Sequence, residues 1–237
     1  GMFSPGSRKW RQKLPLLLEM DALWLRDKKS LELLLPYQSS MKAECLVGSD
    51  LAFLTQFWVP VLSARIPDSR PRLGVALRDW PESLGGTDTK KLTELLQQLA
   101  YEYAITGFIF DAQADPIMRA ILAPYPTRIW DPRTMGIAEF SSELQRCDVL
   151  LTSRAHGAIC GACLGVPSIV VTIEPKLAEV AAMFPHAAIS VSPQALEQWP
   201  DALRRARNIT SETVAQDVAQ NRVMSEMALS QMRRWLV

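Results

Sequence analysis

The sequence lacks a large charge of either sign, since its 237 residues carry a formal net charge of only +1. Proteins that bind nucleic acid through bulk electrostatics carry a clear positive excess, so no nucleic-acid partner is predicted. A long uncharged segment that could cross a membrane is missing too. The longest one, residues 157–173, contains Gly165 and Pro167, which divide it into a helix, a turn and a strand. These absences predict a globular protein of the cytoplasm.

Cysteine and histidine are scarce, with four and two residues respectively. No group of them has the spacing of a zinc site, so no metal site is predicted. Cys160 and Cys163 have the spacing of a redox pair, CGAC. A reactive pair has its first cysteine at a helix N-terminus, where the helix dipole lowers the thiol pKa. Because this pair lies a turn or more inside an apolar helix, two buried small hydrophobic residues are expected.

Apolar strands alternate with helical stretches from Arg72 onward. The predicted strands LGVALRDW, DVLLTS and SIVVTI are mostly apolar, and each precedes a helical stretch. Strands of this kind form parallel sheets covered by helices on both faces. The predicted fold class is α/β, a doubly wound, Rossmann-like parallel sheet with a truncated N-terminal βα segment. The predicted domains are a βαβ-like segment (2–64), a linker (65–72), a Rossmann-like domain (73–209) and a C-terminal helix (210–237).

Charged or titratable side chains follow several of these predicted strands. Arg78 ends LGVALR, Arg154 and His156 follow VLLTS, and Lys176 follows SIVVTIEP. Because ligands of open parallel sheets bind beyond the carboxyl ends of the strands, we expect these groups at one edge of one sheet. Three cations and an imidazole suit a small dianion, such as a phosphate ester that also carries a carboxylate.

The helix that begins near His156 supplies the second part of the predicted anion site. Ser153 is its expected N-cap, and the free N–H groups of the first turn attract an anion together with the helix dipole. Gly157 lets a ligand approach the backbone closely. Asp115 is the expected N-cap of an earlier helix, in the stretch DPIMRAILAPY.

Each of these residues also has an ordinary structural interpretation. His156 can be a hydrogen-bonded core residue, and Lys176 can be an exposed residue of a first helical turn. The two arginines can instead form salt bridges with Asp79 and Asp148, or donate to carbonyl groups at the end of the sheet. His186, in the loop FPHAA, is expected at the surface. The joint placement of the charged groups at strand ends favours the functional interpretation.

The stretch SRAHGAICGACLGVPSIVVTIEPKLAEVAAMF, residues 153–184, closely resembles the C-terminal core of the polysaccharide pyruvyl transferase family, in its bacterial cell-wall branch. GVALRDW resembles the family's strand that ends in arginine. An earlier stretch resembles the family's R-D-x-x-S…D-x-A-F motif, with Arg26, Ser30 and Asp50 at the matching positions. The resemblance spans about residues 23–184, and its motifs occur in the family's order.

The resemblance implies a two-lobed fold of the GT-B kind, of which residues 73–209 would be the C-terminal, donor-binding lobe. It implies transfer of the enolpyruvyl part of phosphoenolpyruvate to a sugar diol as a ketal, without a cofactor. Arg78, Arg154 and His156 match the positions that bind the donor and carry catalysis. The arginines would hold the donor's anions and neutralise the departing phosphate, and the histidine would transfer a proton. The substrate-binding residues are predicted to be Ser153, Gly157, Lys176 and Glu174.

The family's first lobe normally opens with a glycine-rich stretch of the G-x-x-N-x-G-D type, which this sequence does not contain. We therefore expect most of the first lobe to be missing, and a homodimer or a separate partner chain to cover the exposed apolar patch. The acceptor would be a lipid-linked or polymeric glycan, which makes the inner face of the membrane an alternative location. A GT-B nucleotide-sugar glycosyltransferase or epimerase, with Glu174 binding a ribose, and a non-catalytic homologue with an anion site remain alternatives.

Overall fold

The computed structural model describes residues 7–54 and 70–235. The chain divides into two compact units: residues 58–218 form the larger, and residues 1–57 with 219–237 form the smaller. Residues 65–69 of the predicted linker lie outside the described residues, and a strand already begins at Arg72. None of the described helices is long and apolar enough to cross a membrane.

The chain forms helices and strands in alternation. In chain order they are α1 (Arg8–Leu18), β1 (Ala22–Leu25), α2 (Lys28–Glu32), β2 (Glu44–Val47), β3 (Arg72–Ala76), α3 (Thr89–Glu102), β4 (Ala104–Ile109), α4 (Pro116–Leu122), β5 (Thr127–Ile129), α5 (Ile137–Gln145), β6 (Val149–Thr152), α6 (Ala155–Cys163), β7 (Ser168–Val171), α7 (Pro175–Ala182), β8 (Ala188–Val191), α8 (Trp199–Arg207) and α9 (Ser211–Trp235). Short 3₁₀ turns at residues 35–40, 51–53, 82–84 and 196–198 connect some of them.

The larger unit is built on a six-stranded parallel sheet with the order β5-β4-β3-β6-β7-β8. The chain starts in the middle of the sheet at β3, proceeds outward to β5, and then returns to β6 to build the other half. Strand order therefore reverses between β3 and β6, where Ala76 pairs with Thr152. This is the Rossmann order, and it confirms the predicted fold class.

The apolar runs that predicted these strands are buried on both sides. Leu73, Gly74, Val75 and Ala76 of β3 are all buried, and successive residues of a strand point to opposite faces of the sheet. Every residue of β6 and β7 is buried as well. Helices therefore cover both faces, as a parallel sheet requires.

Helix α3 shows how the local sequence sets an element's start and inner face. The Asp88 carboxylate accepts hydrogen bonds from the backbone N–H groups of Lys90 and Lys91, and so caps the helix. The leucines at helical spacing lie on the buried side, as the sequence predicts: Leu92, Leu95, Leu96 and Leu99. The spacing of these leucines predicts a helix over residues 89–103, and the observed helix ends one residue earlier, at Glu102.

The smaller unit contains a parallel pair, β1 and β2, joined through α2. One buried cluster of its core consists of Trp10, Leu23 and Leu34. The second half of α9 belongs to this unit: Ser225 Oγ donates to the Asp50 carbonyl at 3.2 Å, and Arg222 Nε donates to the Phe53 carbonyl at 3.3 Å. The C-terminal helix, predicted as an element of its own, is thus divided between the two units.

Candidate functional site

The candidate site lies at the carboxyl ends of β3, β6 and β7 in the larger unit. Arg78 follows β3, Arg154 follows β6, and Glu174 and Lys176 follow β7. A pocket at this edge is lined by residues that include Arg78, Trp80, Ser153 and Ile173. The structure thus brings the predicted site residues to one edge of one sheet, next to the point where strand order reverses. Their function remains a prediction.

Arg154 is paired with a carboxylate that the sequence did not suggest. Its Nη2 donates to Oδ2 of Asp115, whose side chain is completely buried. The alternatives considered for the arginines, Asp79 and Asp148, are therefore wrong for Arg154. Because a buried charge is stable only when it is paired, this contact explains how both groups are accommodated. The two residues lie 39 positions apart, so no local sequence signal could have revealed the pair.

Asp115 precedes α4, as predicted, but its carboxylate does not serve that helix as a cap. Its Oδ1 accepts the backbone N–H of Asp79 at 3.1 Å. The Asp79 carboxylate in turn accepts the N–H groups of Ile117 and Met118, each at 2.8 Å. The start of α4 is therefore capped by a residue of the loop after β3, and the two segments hold one another in a reciprocal arrangement.

The prediction that Ser153 caps α6 is wrong, because Arg154 occupies the N-cap position. The buried Ser153 Oγ instead accepts the backbone N–H of Arg78 at 2.8 Å. Thr152 Oγ1 accepts the Arg154 N–H at 3.0 Å and lies 3.0 Å from the Ala76 carbonyl, to which it donates. These hydroxyl groups join the ends of β3 and β6 to each other.

Gly157 has a packing role that differs from the predicted approach of a ligand. A Cβ at this position would lie 2.4 Å from Thr152 Oγ1 and 3.3 Å from the Arg154 Cβ. Real Cβ atoms do not come this close to another heavy atom, so a larger residue would push the first turn of α6 away from β6. The glycine therefore allows α6 to begin directly above the end of the strand.

Arg78 and Lys176 share one carboxylate, that of Glu174. Glu174 Oε1 lies 3.5 Å from Arg78 Nη1 and 2.7 Å from Lys176 Nζ. The Arg78 guanidinium also lies over the Trp80 ring, 5.0 Å from its centroid. The two cations are about one-third exposed, at 34% and 37%. Partly exposed pairs of this kind contribute at most about 1 kcal/mol, so an anionic ligand can compete with Glu174.

The two histidines are both exposed. His156 lies in the first turn of α6, two residues after Arg154, so its interpretation as a core histidine is wrong. His186 is at the surface as predicted, with Nδ1 2.9 Å from Asp217 Oδ1.

The cysteines of the CGAC stretch lie inside α6, as predicted, but they are half-buried rather than buried. Cys160 packs against the core cluster that contains Phe140 and Leu150. The fully enclosed thiol is that of Cys147, whose pKa burial raises to about 12. At neutral pH this thiol stays protonated and acts as a small apolar group.

Chains of known structure share the fold at low sequence identity. UDP-GlcNAc 2-epimerase from Methanocaldococcus jannaschii has a TM-score of 0.55 at 16% identity, over 79% of this chain and 55% of its own. The same enzyme in complex with UDP-GlcNAc and UDP has a TM-score of 0.52 at 17% identity, over 81% of this chain and 55% of its own. The GtfA/B complex has a TM-score of 0.56 at 12% identity, over 94% of this chain and 47% of the matched chain. The chain thus spans about half the length of these GT-B structures.

Among curated proteins no match to the sequence was found. The family model of polysaccharide pyruvyl transferase matches residues 8–175. The matched range includes β3, β6 and α6, and with them Arg78, Arg154 and His156. Since the match covers well over half of the sequence, the chain belongs to the polysaccharide pyruvyl transferase family.

Proposed function

We propose that this chain binds phosphoenolpyruvate at the edge formed by Arg78, Arg154 and Lys176. It would transfer the pyruvyl group, as a ketal, to a cell-wall or exopolysaccharide sugar. The observation that carries the proposal is the position of the two arginines at the ends of β3 and β6, in a chain of this family. Phosphoenolpyruvate has a phosphate and a carboxylate, the two anions that guanidinium groups bind with paired hydrogen bonds.

The charges at this edge support binding of a dianion. Asp115 is buried and remains with Arg154, whereas Glu174 is partly exposed and can move away from Arg78 and Lys176. A ligand with two negative charges would then replace one carboxylate charge.

The proposed reaction joins one donor and one sugar diol. A sugar hydroxyl adds to C2 of phosphoenolpyruvate while C3 takes up a proton, and phosphate leaves as the second hydroxyl adds to C2. The products are a cyclic ketal and inorganic phosphate. Arg78 and Arg154 would stabilise the negative charge on the departing phosphate. His156, exposed in the first turn of α6, would protonate C3 or accept a hydroxyl proton.

We further propose that the acceptor is a lipid-linked or polymeric glycan met at the inner face of the membrane. The exposed side of α1 supports this location with four cations: Arg8, Lys9, Arg11 and Lys13. Clustered cations of this kind attract anionic lipids. Co-sedimentation with phosphatidylglycerol vesicles, but not with neutral phosphatidylcholine vesicles, is the expected result. Equal amounts of protein sedimenting with both kinds of vesicle would contradict the proposed location.

A nucleotide-sugar substrate is the competing candidate, because the fold is also that of an epimerase solved with UDP-GlcNAc and UDP. That function would use a carboxylate at this edge to bind a ribose, and Glu174 is the residue considered for it. Its contacts with Arg78 and Lys176 favour the anion-binding interpretation instead.

A transfer assay tests the proposed function. The chain is incubated with phosphoenolpyruvate and bacterial cell-wall glycans, while phosphate release and the methyl signal of the ketal are followed by NMR. Arg154→Ala should abolish both signals. Arg133→Ala, which removes an exposed arginine paired with Asp131, should leave them unchanged. Phosphate release that Arg154→Ala does not affect would overturn the proposed site.

A further inference from the structure

The sequence predicts Asp115 as a helix cap and gives it no functional role. In the structure, however, it lies at the centre of the polar contacts at this edge. Its side chain is fully buried, and its two carboxylate oxygens contact two different segments. We propose that Asp115 is a positioning residue that holds Arg154 and the backbone after Arg78 in the arrangement that binds the donor. This inference rests on the proposed function.

The direct contact orients the Arg154 guanidinium. The Arg154 side chain is only 19% exposed, and its Nη2 donates to Asp115 Oδ2. An arginine side chain has several rotatable bonds, and a ligand that must first order them binds less tightly. By holding the guanidinium before the ligand arrives, Asp115 removes that part of the cost.

The second contact fixes the segment that carries the other arginine. Asp115 Oδ1 accepts the Asp79 N–H, and Ser153 Oγ accepts the N–H of Arg78. The backbone of two consecutive residues after β3 is thus bonded to the residue that precedes α4 on one side and to the end of β6 on the other. Because Asp115 contacts both arginine-bearing segments, it sets their positions relative to one another.

Electrostatics alone would not favour a carboxylate here. A negative charge beside an anion site weakens the attraction of the cations for the ligand. A buried carboxylate in this place is understandable if its hydrogen bonds orient the guanidinium and leave other N–H groups for the ligand. Glu174 differs from Asp115, because the Glu174 side chain is partly exposed. Its contacts with Arg78 and Lys176 can therefore be exchanged for those of a ligand.

The substitution Asp115→Asn separates the two contacts. An amide oxygen can still accept the Asp79 N–H, whereas the amide NH₂ would face Arg154 and cannot accept its hydrogen bond. The matched control is Asp111→Asn, four residues earlier. Asp111 is exposed, and its carboxylate accepts local bonds from the N–H groups of Gln113 and Ala114.

The first readout needs no ligand. Protein labelled with ¹⁵N-arginine should give an ordered Nε–Hε signal for Arg154, assigned by its loss in Arg154→Lys. This signal should become mobile in Asp115→Asn and stay ordered in Asp111→Asn. An Arg154 signal that is equally ordered in all three proteins would overturn the inference, whatever the chain binds.

The second readout is calorimetric titration with phosphoenolpyruvate. Asp115→Asn should weaken binding by about 10–100-fold, and should add little further loss in an Arg154→Gln background, because coupled residues are not additive. Additive losses would contradict positioning through Arg154. If the wild type binds no phosphoenolpyruvate while Asp115→Asn still mobilises Arg154, the proposed function fails and the role of Asp115 in holding Arg154 stands.

A second variant covers the case in which Asp115→Asn does not fold. Asp115→Glu keeps the charge but moves the carboxylate by one methylene group. It should shift the Arg154 signal and weaken phosphoenolpyruvate binding at least fivefold. An unchanged signal with unchanged affinity would also overturn the inference.

Discussion

The two units of this chain differ in how much of their structure is buried. In the larger unit, every residue of β6 and β7 is buried, and the sheet has six strands. In the smaller unit, Leu23 is the buried residue of β1, and the residues of β2 are half-buried or exposed. A two-stranded sheet is marginal without further packing, and α9 supplies hydrogen bonds to residues 49–53.

This difference explains why the charged residues of the candidate site belong to the larger unit. Arg78, Arg154 and Asp115 need fixed partners, and a densely packed sheet provides strand ends whose positions vary little. The two strands of the smaller unit contribute only one buried side chain, that of Leu23. The smaller unit is therefore expected to open first.

The largest effect is expected from a residue that belongs to the site but not to the core. His156→Ala should reduce pyruvyl transfer at least 100-fold, the usual contribution of an acid–base group. It should change the free energy of unfolding by no more than about 0.5 kcal/mol, because the side chain is exposed. The matched control is His186→Ala, at the other exposed histidine. Lost stability with unchanged transfer would show that His156 is structural.

The next effect should distinguish the two units. Ala228 is 5% exposed and Met227 is 67% exposed, although they are neighbours on α9. Ala228→Glu buries a charge and should destabilise the smaller unit by roughly 3 kcal/mol or more, whereas Met227→Glu should be neutral. Hydrogen exchange should accelerate in β1 and β2 and remain slow in β3 and β6. Equal acceleration in all four strands would mean that the units do not unfold separately.

The smallest effect concerns the core of the larger unit. Burial raises the pKa of the Cys147 thiol to about 12, while an unfolded thiol titrates near about 8.5. Above that pH the unfolded chain loses this proton and the folded chain keeps it, so stability falls as pH rises towards the folded pKa. Between pH 8 and pH 10 the wild type should lose about 2 kcal/mol more than Cys147→Ala. Urea unfolding of both proteins at both pH values measures the difference. Equal losses of unfolding free energy in the wild type and Cys147→Ala would contradict a buried, protonated Cys147 thiol.

The sequence predicts the scaffold well, because buried parallel strands have a strong apolar signal. The runs around Leu150 and Ile169 indicate central strands, and the charged residues after them indicate the edge where a site can form. The sequence does not predict which residues the polar side chains of the site pair with. Ser153 bonds to the Arg78 N–H and Asp115 to Arg154, contacts that depend on which strands become neighbours in the sheet. Spacing along the chain does not contain that information.

The central claim is that Arg78 and Arg154 form a site for phosphoenolpyruvate. Calorimetric titration of the purified chain with phosphoenolpyruvate, and separately with UDP-GlcNAc, tests it most directly. We predict binding of phosphoenolpyruvate that Arg154→Ala weakens at least 100-fold and Arg133→Ala leaves unchanged, with no binding of UDP-GlcNAc. Absence of phosphoenolpyruvate binding by the wild type, or equal binding by Arg154→Ala, would contradict the account.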